Sequence, residues 1–121
     1  MKKNIIFLIM CVTTFGCIWE NEETLFPEAV QCDTTSVSFA GDVVSILALN
    51  CFSCHSNLNA SQFASDITLE EYEDVAASAN LILGAINHED GFPQMPKNSD
   101  KMDLCLITTF EAWVNQGSLD N

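Results

Sequence analysis

Residues 41–55 read GDVVSILALNCFSCH, and this stretch decides the fold. Apolar residues recur at positions 43, 44, 46, 47 and 49, a spacing that places apolar side chains along one side of a helix. Asp42 precedes most of them, and a carboxylate near a helix N-terminus is favoured by the helix dipole. We therefore predict a helix that runs from about Gly41 into the pair Cys51 and Cys54.

The end of this stretch, Cys51-Phe52-Ser53-Cys54-His55, is the CxxCH pattern typical of c-type haem attachment. Residues three and four apart share one face of a helical turn, so both thiols and the imidazole can serve one ligand. Cys51 and Cys54 would each bond one vinyl group of a haem, while His55 binds its iron. The pattern predicts one covalently bound haem c.

Two other chemistries use a CxxC pair. A thioredoxin-type redox pair normally follows a strand of a βαβ unit, which is not indicated before Cys51, and acidic surroundings do not lower a thiol pKa. A zinc site would need a fourth ligand beside Cys51, Cys54 and His55, which His88 could supply. Exported zinc thiolates compete with oxidation, so haem is the preferred interpretation.

A haem iron needs a sixth ligand from elsewhere in the chain. Met95 lies in the segment GFPQMP, residues 91–96, where the flanking prolines stiffen the backbone and limit the entropy lost in presenting the sulfur. The alternative sixth ligand is His88, because ligation by two histidines is chemically sound. Met102 lies next to a final helix and is expected to serve packing. We predict Met95 as the ligand.

These residues resemble the small, class I-like monohaem cytochrome c domains of the cell envelope, in which a helix leads into CxxCH, a loop carries Met-Pro, and a final aromatic-bearing helix crosses the first. The resemblance covers about residues 32–116. It implies an all-α cytochrome c fold with three to five helices around one haem. It also implies that Trp113 or Phe110 packs near the helix crossing, with Trp113 a candidate for packing against the haem. The implied function is electron transfer by a carrier that is not an enzyme.

Two helices are predicted in the middle of the chain. Thr68 and Glu71 have the spacing of a capping box before a helix over 69–77. Asn80 is placed to cap a further short helix over 81–87.

A last helix is predicted over 104–116, with Asp103 as its N-cap and Gly117 ready to end it. The stretches 56–66 and 88–100 are expected to be irregular, because they are polar and the second contains Gly91 and two prolines. The apolar face of the last helix is formed by residues at steps of three and four: Leu106, Ile107, Phe110, Trp113 and Val114.

The N-terminus is expected to export and anchor the protein. Two lysines precede an apolar run over 5–12 that is too short to span a bilayer, which indicates a signal peptide, residues 1–16. Gly16-Cys17 resembles a lipoprotein signal, in which the cysteine is lipidated and becomes the mature N-terminus. We therefore predict a membrane-anchored lipoprotein of the bacterial cell envelope, on its periplasmic or surface face.

The cysteines of the exported chain can all be assigned. Cys17 takes the lipid and Cys51 and Cys54 take the haem, so Cys32 and Cys105 remain as a single possible disulfide in an oxidising compartment. If the first and last helices cross as in cytochromes c, a bridge between these positions is geometrically natural.

Charge narrows the choice of partners. Residues 17–31 form an acidic tether before a single domain, 32–121, and the exported chain sets Lys97 and Lys101 against 17 carboxylates with no Arg, a formal charge of −15. Nucleic acid would be repelled, whereas a redox partner protein with a basic docking patch would be attracted. We expect a monomeric carrier; the alternative is a haem-bearing subunit or docking module of a larger oxidoreductase.

Overall fold

The computed structural model of the protein describes residues 32–121. The expected signal peptide (1–16), lipidated Cys17 and acidic tether (17–31) lie outside the described residues. Within 32–121 the chain forms helices and no strand, which confirms the all-α prediction. None of the helices in this part of the chain has the length and hydropathy needed to cross a bilayer.

The helix before the paired cysteines begins slightly earlier than predicted. A π-helical segment, Phe39–Val43, leads into α1, Val44–Asn50. Ser38 caps the π-helical segment, because its hydroxyl accepts a hydrogen bond from the N–H three residues on, at 3.1 Å. In return, the Asp42 carboxylate accepts from the Ser38 N–H at 2.8 Å. These reciprocal bonds satisfy N–H groups that a first turn leaves without helical partners.

Two short helices follow, α2 (Phe52–His55) and α3 (Ala60–Phe63). The second lies inside the stretch that was expected to be loop, so that prediction was wrong by one turn. The reason is burial: Ala60 and Ala64 are both buried. A single helical turn places residues four apart on the same side, so it buries both small side chains together.

One continuous helix, α4 (Tyr72–Ile86), stands where two shorter helices were predicted. Val75, Ala79 and Ile86 are buried at spacings of four and seven, so one apolar stripe passes the exposed Asn80 without interruption. Asn80 therefore lies in the middle of a helix and caps nothing.

The predicted capping box does not form at the start of α4. Glu71 is the N-cap residue and makes no capping hydrogen bond through its side chain. The Thr68 hydroxyl instead donates to the Asp74 carboxylate at 2.5 Å. Thr68 therefore ties the preceding loop to the first turn of the helix rather than capping it.

The last helix, α5 (Leu104–Asn115), was predicted correctly. The Asp103 carboxylate accepts from the Cys105 N–H at 2.8 Å. Gly117 ends the helix at φ +100°, a conformation that glycine adopts without steric cost. Of the expected apolar face, three residues are fully buried and two are partly buried: Ile107, Phe110 and Trp113, and then Leu106 and Val114.

A cluster of four aromatic side chains joins the π-helical segment, α4 and α5. The ring of Phe39 lies 5.7 Å from that of Trp113 and 5.2 Å from that of Tyr72, and Phe110 lies 5.5 Å from Trp113. Trp113 and Phe110 are completely buried. Trp113 therefore packs where the first and last helices meet, as expected, and its packing against a haem stays a prediction.

The residues after α5 fold back over this aromatic group. Trp113 donates its indole N–H to the Leu119 carbonyl at 2.9 Å, and the Tyr72 hydroxyl donates to the Ser118 carbonyl at 2.8 Å. Within residues 32–121, every buried side-chain nitrogen or oxygen has a hydrogen-bond partner. The core therefore carries no polar atom without a partner in this part of the chain.

The first described residues lie along α5. Cys32 and Cys105 are at disulfide-bonding distance as predicted, with 5.3 Å between their Cα atoms. At the other end of the helix, the Gln116 side chain donates to the Thr34 carbonyl at 2.9 Å and accepts from the Val37 N–H at 3.2 Å. These contacts attach residues 32–37 to both ends of α5.

Candidate functional site

The paired cysteines and the histidine occupy a turn of their own. Cys51 leaves helical geometry at φ −121° and ψ −37°. Its carbonyl oxygen then accepts from the N–H groups of Cys54, at 3.0 Å, and His55, at 2.8 Å. Positions three and four after Cys51 lie on its side of such a turn. The three predicted residues therefore share one backbone turn.

The imidazole of His55 is held by a backbone carbonyl. Its Nδ1 atom lies 3.0 Å from the carbonyl oxygen of Ile67. A carbonyl oxygen can only accept, so Nδ1 carries a proton, and in the neutral imidazole Nε2 is then the nitrogen with a free lone pair. Histidines that bind a metal usually have their other nitrogen held in this way, which fixes both the tautomer and the ring orientation. His55 is therefore prepared to bind a metal through Nε2.

The loop that carries Ile67 is closed onto His55. The Leu69 N–H donates to the His55 carbonyl at 2.9 Å, and Leu69 itself is buried. The Glu70 carboxylate accepts from the Asn57 N–H at 2.8 Å. The two ends of the loop are thus joined beside His55, close to the Ile67 carbonyl.

The two cysteines of the turn are not joined to each other. Cys51 is half-buried and Cys54 is exposed, and both are free thiols. Burial raises the pKa of the Cys51 thiol to about 11. A thioredoxin-type nucleophile needs the opposite, a pKa lowered toward neutrality. The environment of Cys51 therefore argues against a catalytic redox pair.

The zinc interpretation is not supported either. Among residues 32–121, no three side chains of His, Cys, Asp or Glu converge closely enough to hold a metal ion. The donor set of Cys51, Cys54, His55 and His88 is therefore not assembled as a tetrahedral site would require.

Met95 lies on a segment that is fastened to the C-terminal end of α4. Its N–H donates to the Ala85 carbonyl at 3.1 Å. Its carbonyl oxygen lies 3.1 Å from Nε2 of His88. The ring of Phe92 packs on Gly84, where an added Cβ would lie 2.7 Å from ring carbons. The segment is irregular, as predicted, but three contacts hold it in place.

The two methionines near this segment differ in their packing. Met102 packs against the hydrophobic core, which confirms its expected role. Met95 is half-buried and does not belong to the core packing of residues 32–121. Filling the hydrophobic core is therefore not the role of Met95 in this part of the chain.

Apolar side chains are exposed around the CxxCH turn. Four residues that flank it in sequence are exposed by half or more: Leu49 (83%), Leu58 (91%), Phe63 (59%) and Ile67 (51%). Cys51 itself packs against the hydrophobic core of residues 32–121. Exposed apolar side chains of this kind are what a flat apolar cofactor would cover.

Comparison with known proteins adds no relative. No protein-family model matches the chain, and no curated protein and no solved structure matches it. The functional interpretation therefore depends on the residues described above.

Proposed function

We propose that the protein is a monohaem c-type cytochrome that carries single electrons at the bacterial cell envelope. The observation that carries the proposal is the state of His55. In a CxxCH turn, its Nδ1 lies at hydrogen-bonding distance from the Ile67 carbonyl, which in the neutral imidazole leaves the lone pair on Nε2. A histidine in this state beside two free thiols is suited to an iron that is also held covalently.

Four residues would hold the cofactor. Cys51 and Cys54 would bind the porphyrin as thioethers, His55 would bind the iron through Nε2, and Met95 would supply a thioether sulfur. The free thiols, the oriented imidazole and the exposed apolar side chains fit such a group. When bound, the haem supplies a one-electron iron couple.

The chain contributes position and electronic tuning. The hydrogen bond from His55 Nδ1–H to the Ile67 carbonyl would make the imidazole a stronger electron-pair donor to the iron. A Met95 ligand raises the reduction potential relative to ligation by two histidines. If His55 and Met95 both bound the iron, these two side chains would leave no site on it for a substrate. The protein would then act as an electron carrier.

The surroundings of the carrier follow from charge and anchoring. A lipid on Cys17 would hold the protein at a membrane, and the tether 17–31 would let the domain reach partners there. Residues 32–121 bear two lysines against 13 carboxylates. A redox partner with a basic patch would be attracted to this domain. A haem-bearing subunit of a larger oxidoreductase differs from this carrier only in how long the partner stays bound.

Optical spectra of the oxidised protein test the ligand set. The wild type should show the weak sulfur-to-iron charge-transfer band at the red end of the visible spectrum. Met95→Ala should remove this band and lower the reduction potential, while the control Met102→Leu, at the core-packed methionine, should keep the band. A spectrum that survives Met95→Ala but is lost in His88→Gln would show that His88 is the ligand. A redox titration should fit one electron per chain.

A further inference from the structure

We propose that His88 is a positioning residue that latches the Met95 segment to the end of α4. This inference rests on the proposed function, in which Met95 supplies the sixth ligand. His88 then holds the peptide that presents the sulfur and does not bind the iron itself.

The latch is a closed set of three hydrogen bonds. The Ala85 carbonyl accepts from the backbone N–H of His88, at 3.2 Å, and from the N–H of Met95, at 3.1 Å. The Met95 carbonyl accepts from Nε2–H of His88, at 3.1 Å. A carbonyl oxygen has two lone pairs and can accept from His88 and Met95, while the Asn87 N–H, which also points toward it, bonds the Leu83 carbonyl at 3.0 Å. The Met95 backbone is therefore held on both sides of its Cα, through its N–H by Ala85 and through its carbonyl by His88.

The backbone of His88 is shaped for this contact. Its φ of +55° lies in the left-handed region, where the chain leaves α4. Most side chains disfavour this region, although His, like Asn and Asp, is enriched there. The turn brings the imidazole, which is half-buried, to a carbonyl seven residues further along the chain.

The latch fixes the backbone that carries a half-buried side chain. Met95 is not among the side chains packed against the hydrophobic core of residues 32–121, and hydrogen bonds to its backbone help to fix its place. A peptide held in advance loses less entropy when the sulfur binds a ligand. With Nε2–H donated to Met95, His88 could bind iron through that nitrogen only by opening the latch.

Two substitutions at position 88 distinguish a hydrogen-bond donor from an iron ligand. His88→Gln keeps an N–H near the position of Nε2 but removes the imidazole, whereas His88→Leu removes both and keeps an apolar side chain of similar size. Both variants place an ordinary residue at the left-handed position, so the backbone cost is similar in each. The first measurement is the affinity of the oxidised holoprotein for added imidazole, which competes with the sulfur for the iron.

We expect His88→Leu to bind imidazole about fivefold more tightly than the wild type, the factor that corresponds to a hydrogen bond worth about 1 kcal/mol. His88→Gln should stay within about twofold of the wild type, since it keeps the donor. A wild-type affinity in His88→Leu would overturn the proposal. Equal behaviour of both variants, with the sulfur band lost in each, would also overturn it, because the imidazole itself would then be required.

Hydrogen exchange at the Met95 N–H gives a reading that does not depend on the iron ligand. Exchange of this amide in the purified protein, with or without haem, should be about fivefold faster in His88→Leu and unchanged in His88→Gln. An unchanged rate in His88→Leu would reject the latch. Loss of covalent haem or of the sulfur band in the wild type would instead reject the proposed function, and the exchange rate would still decide the latch.

Discussion

Gly84 and Phe92 show how closely the Met95 segment sits on α4. The ring of Phe92 occupies the space where a side chain at position 84 would begin, since an added Cβ would lie 2.7 Å from three ring carbons. Alanine in place of a helical glycine ordinarily stabilises a helix by about 1 kcal/mol. Here the methyl group must displace an aromatic ring, so the sign of the effect should reverse.

We expect Gly84→Ala to destabilise the holoprotein by about 1–3 kcal/mol, the usual cost of overpacking. It should also weaken the sulfur-to-iron band, because the displaced ring moves the Met95 segment. Denaturant unfolding and the oxidised spectrum measure the two effects. In a Phe92→Ala background the same substitution should cost nothing further, since the obstructing ring is gone. Stabilisation by Gly84→Ala in the wild-type background would show that the contact is not tight.

The site residues differ in how far the sequence reveals them. Cys51, Cys54 and His55 follow from spacing, because three and four residues always separate neighbours on a helical turn. Ile67 does not, since it acts through a backbone carbonyl that carries no side-chain signature and lies 12 residues away. A glycine within a helical pattern often marks a close approach of another group, so Gly84 could have indicated such a contact. That Phe92 makes the contact depends on the tertiary fold.

At the scale of elements, the capping signal at Asn80 and the apolar periodicity of α4 predict different helix boundaries. Asn is a good N-cap, and the prediction gave Asn80 that role. The apolar stripe through Val75, Ala79 and Ile86 keeps helical spacing before and after position 80. Burial of the whole stripe stabilises the continuous helix more than one N-cap would stabilise a separate helix. Capping residues also occur inside helices, so the periodic pattern was the better guide here.

Asn80→Ala distinguishes the two arrangements. At an exposed position in the middle of a helix, alanine should stabilise the protein by about 0.5 kcal/mol through its higher helix propensity. At an N-cap, the same change would cost about 1 kcal/mol. Thermal or denaturant unfolding measures the sign. A destabilised Asn80→Ala protein would contradict a continuous α4.

The segment over residues 32–37 depends on two fastenings to α5. Linking Cys32 to Cys105 closes a loop of 73 residues, which stabilises the fold by roughly 4 kcal/mol in the chain-entropy model. We expect replacement of both cysteines by serine to lower the free energy of unfolding by up to that amount. Gln116→Ala, at the other fastening, should cost about 1 kcal/mol.

Reductant offers a control for the disulfide. It should destabilise the wild type and leave the double-serine variant unchanged, while thioether-bound haem stays on both proteins. Peptide mapping without reduction should recover the linked pair. Free thiols at both Cys32 and Cys105 in the purified protein would contradict the assignment.

At the scale of the whole molecule, charge should govern association with the partner. The domain carries 13 carboxylates, and its two lysines both follow Met95 in sequence, at Lys97 and Lys101. Attraction to a basic partner should raise the association rate at low ionic strength, where charges act over about 30 Å, and lose most of that gain at 0.15 M, where they act over about 8 Å. We expect the bimolecular electron-transfer rate to fall about tenfold between these conditions. A rate that does not change with salt would mean that the charge serves solubility.

The helical class, the site turn and the last helix were readable from sequence because each depends on local spacing. The closure of residues 56–68 onto His55 and the fastening of Met95 to α4 were not, because both depend on backbone hydrogen bonds between distant residues. Tertiary contacts of this kind decide whether the residues of a motif are also oriented for its chemistry.

Retention of haem by the unfolded chain tests the central claim most directly. Protein from cells competent in cytochrome c maturation is denatured, extracted with acidified acetone and examined as the reduced pyridine complex. We expect one haem per chain to remain with the polypeptide, and Cys51→Ser with Cys54→Ser to release it. A colourless protein, haem that passes into the solvent, or stoichiometric zinc in its place would contradict the account.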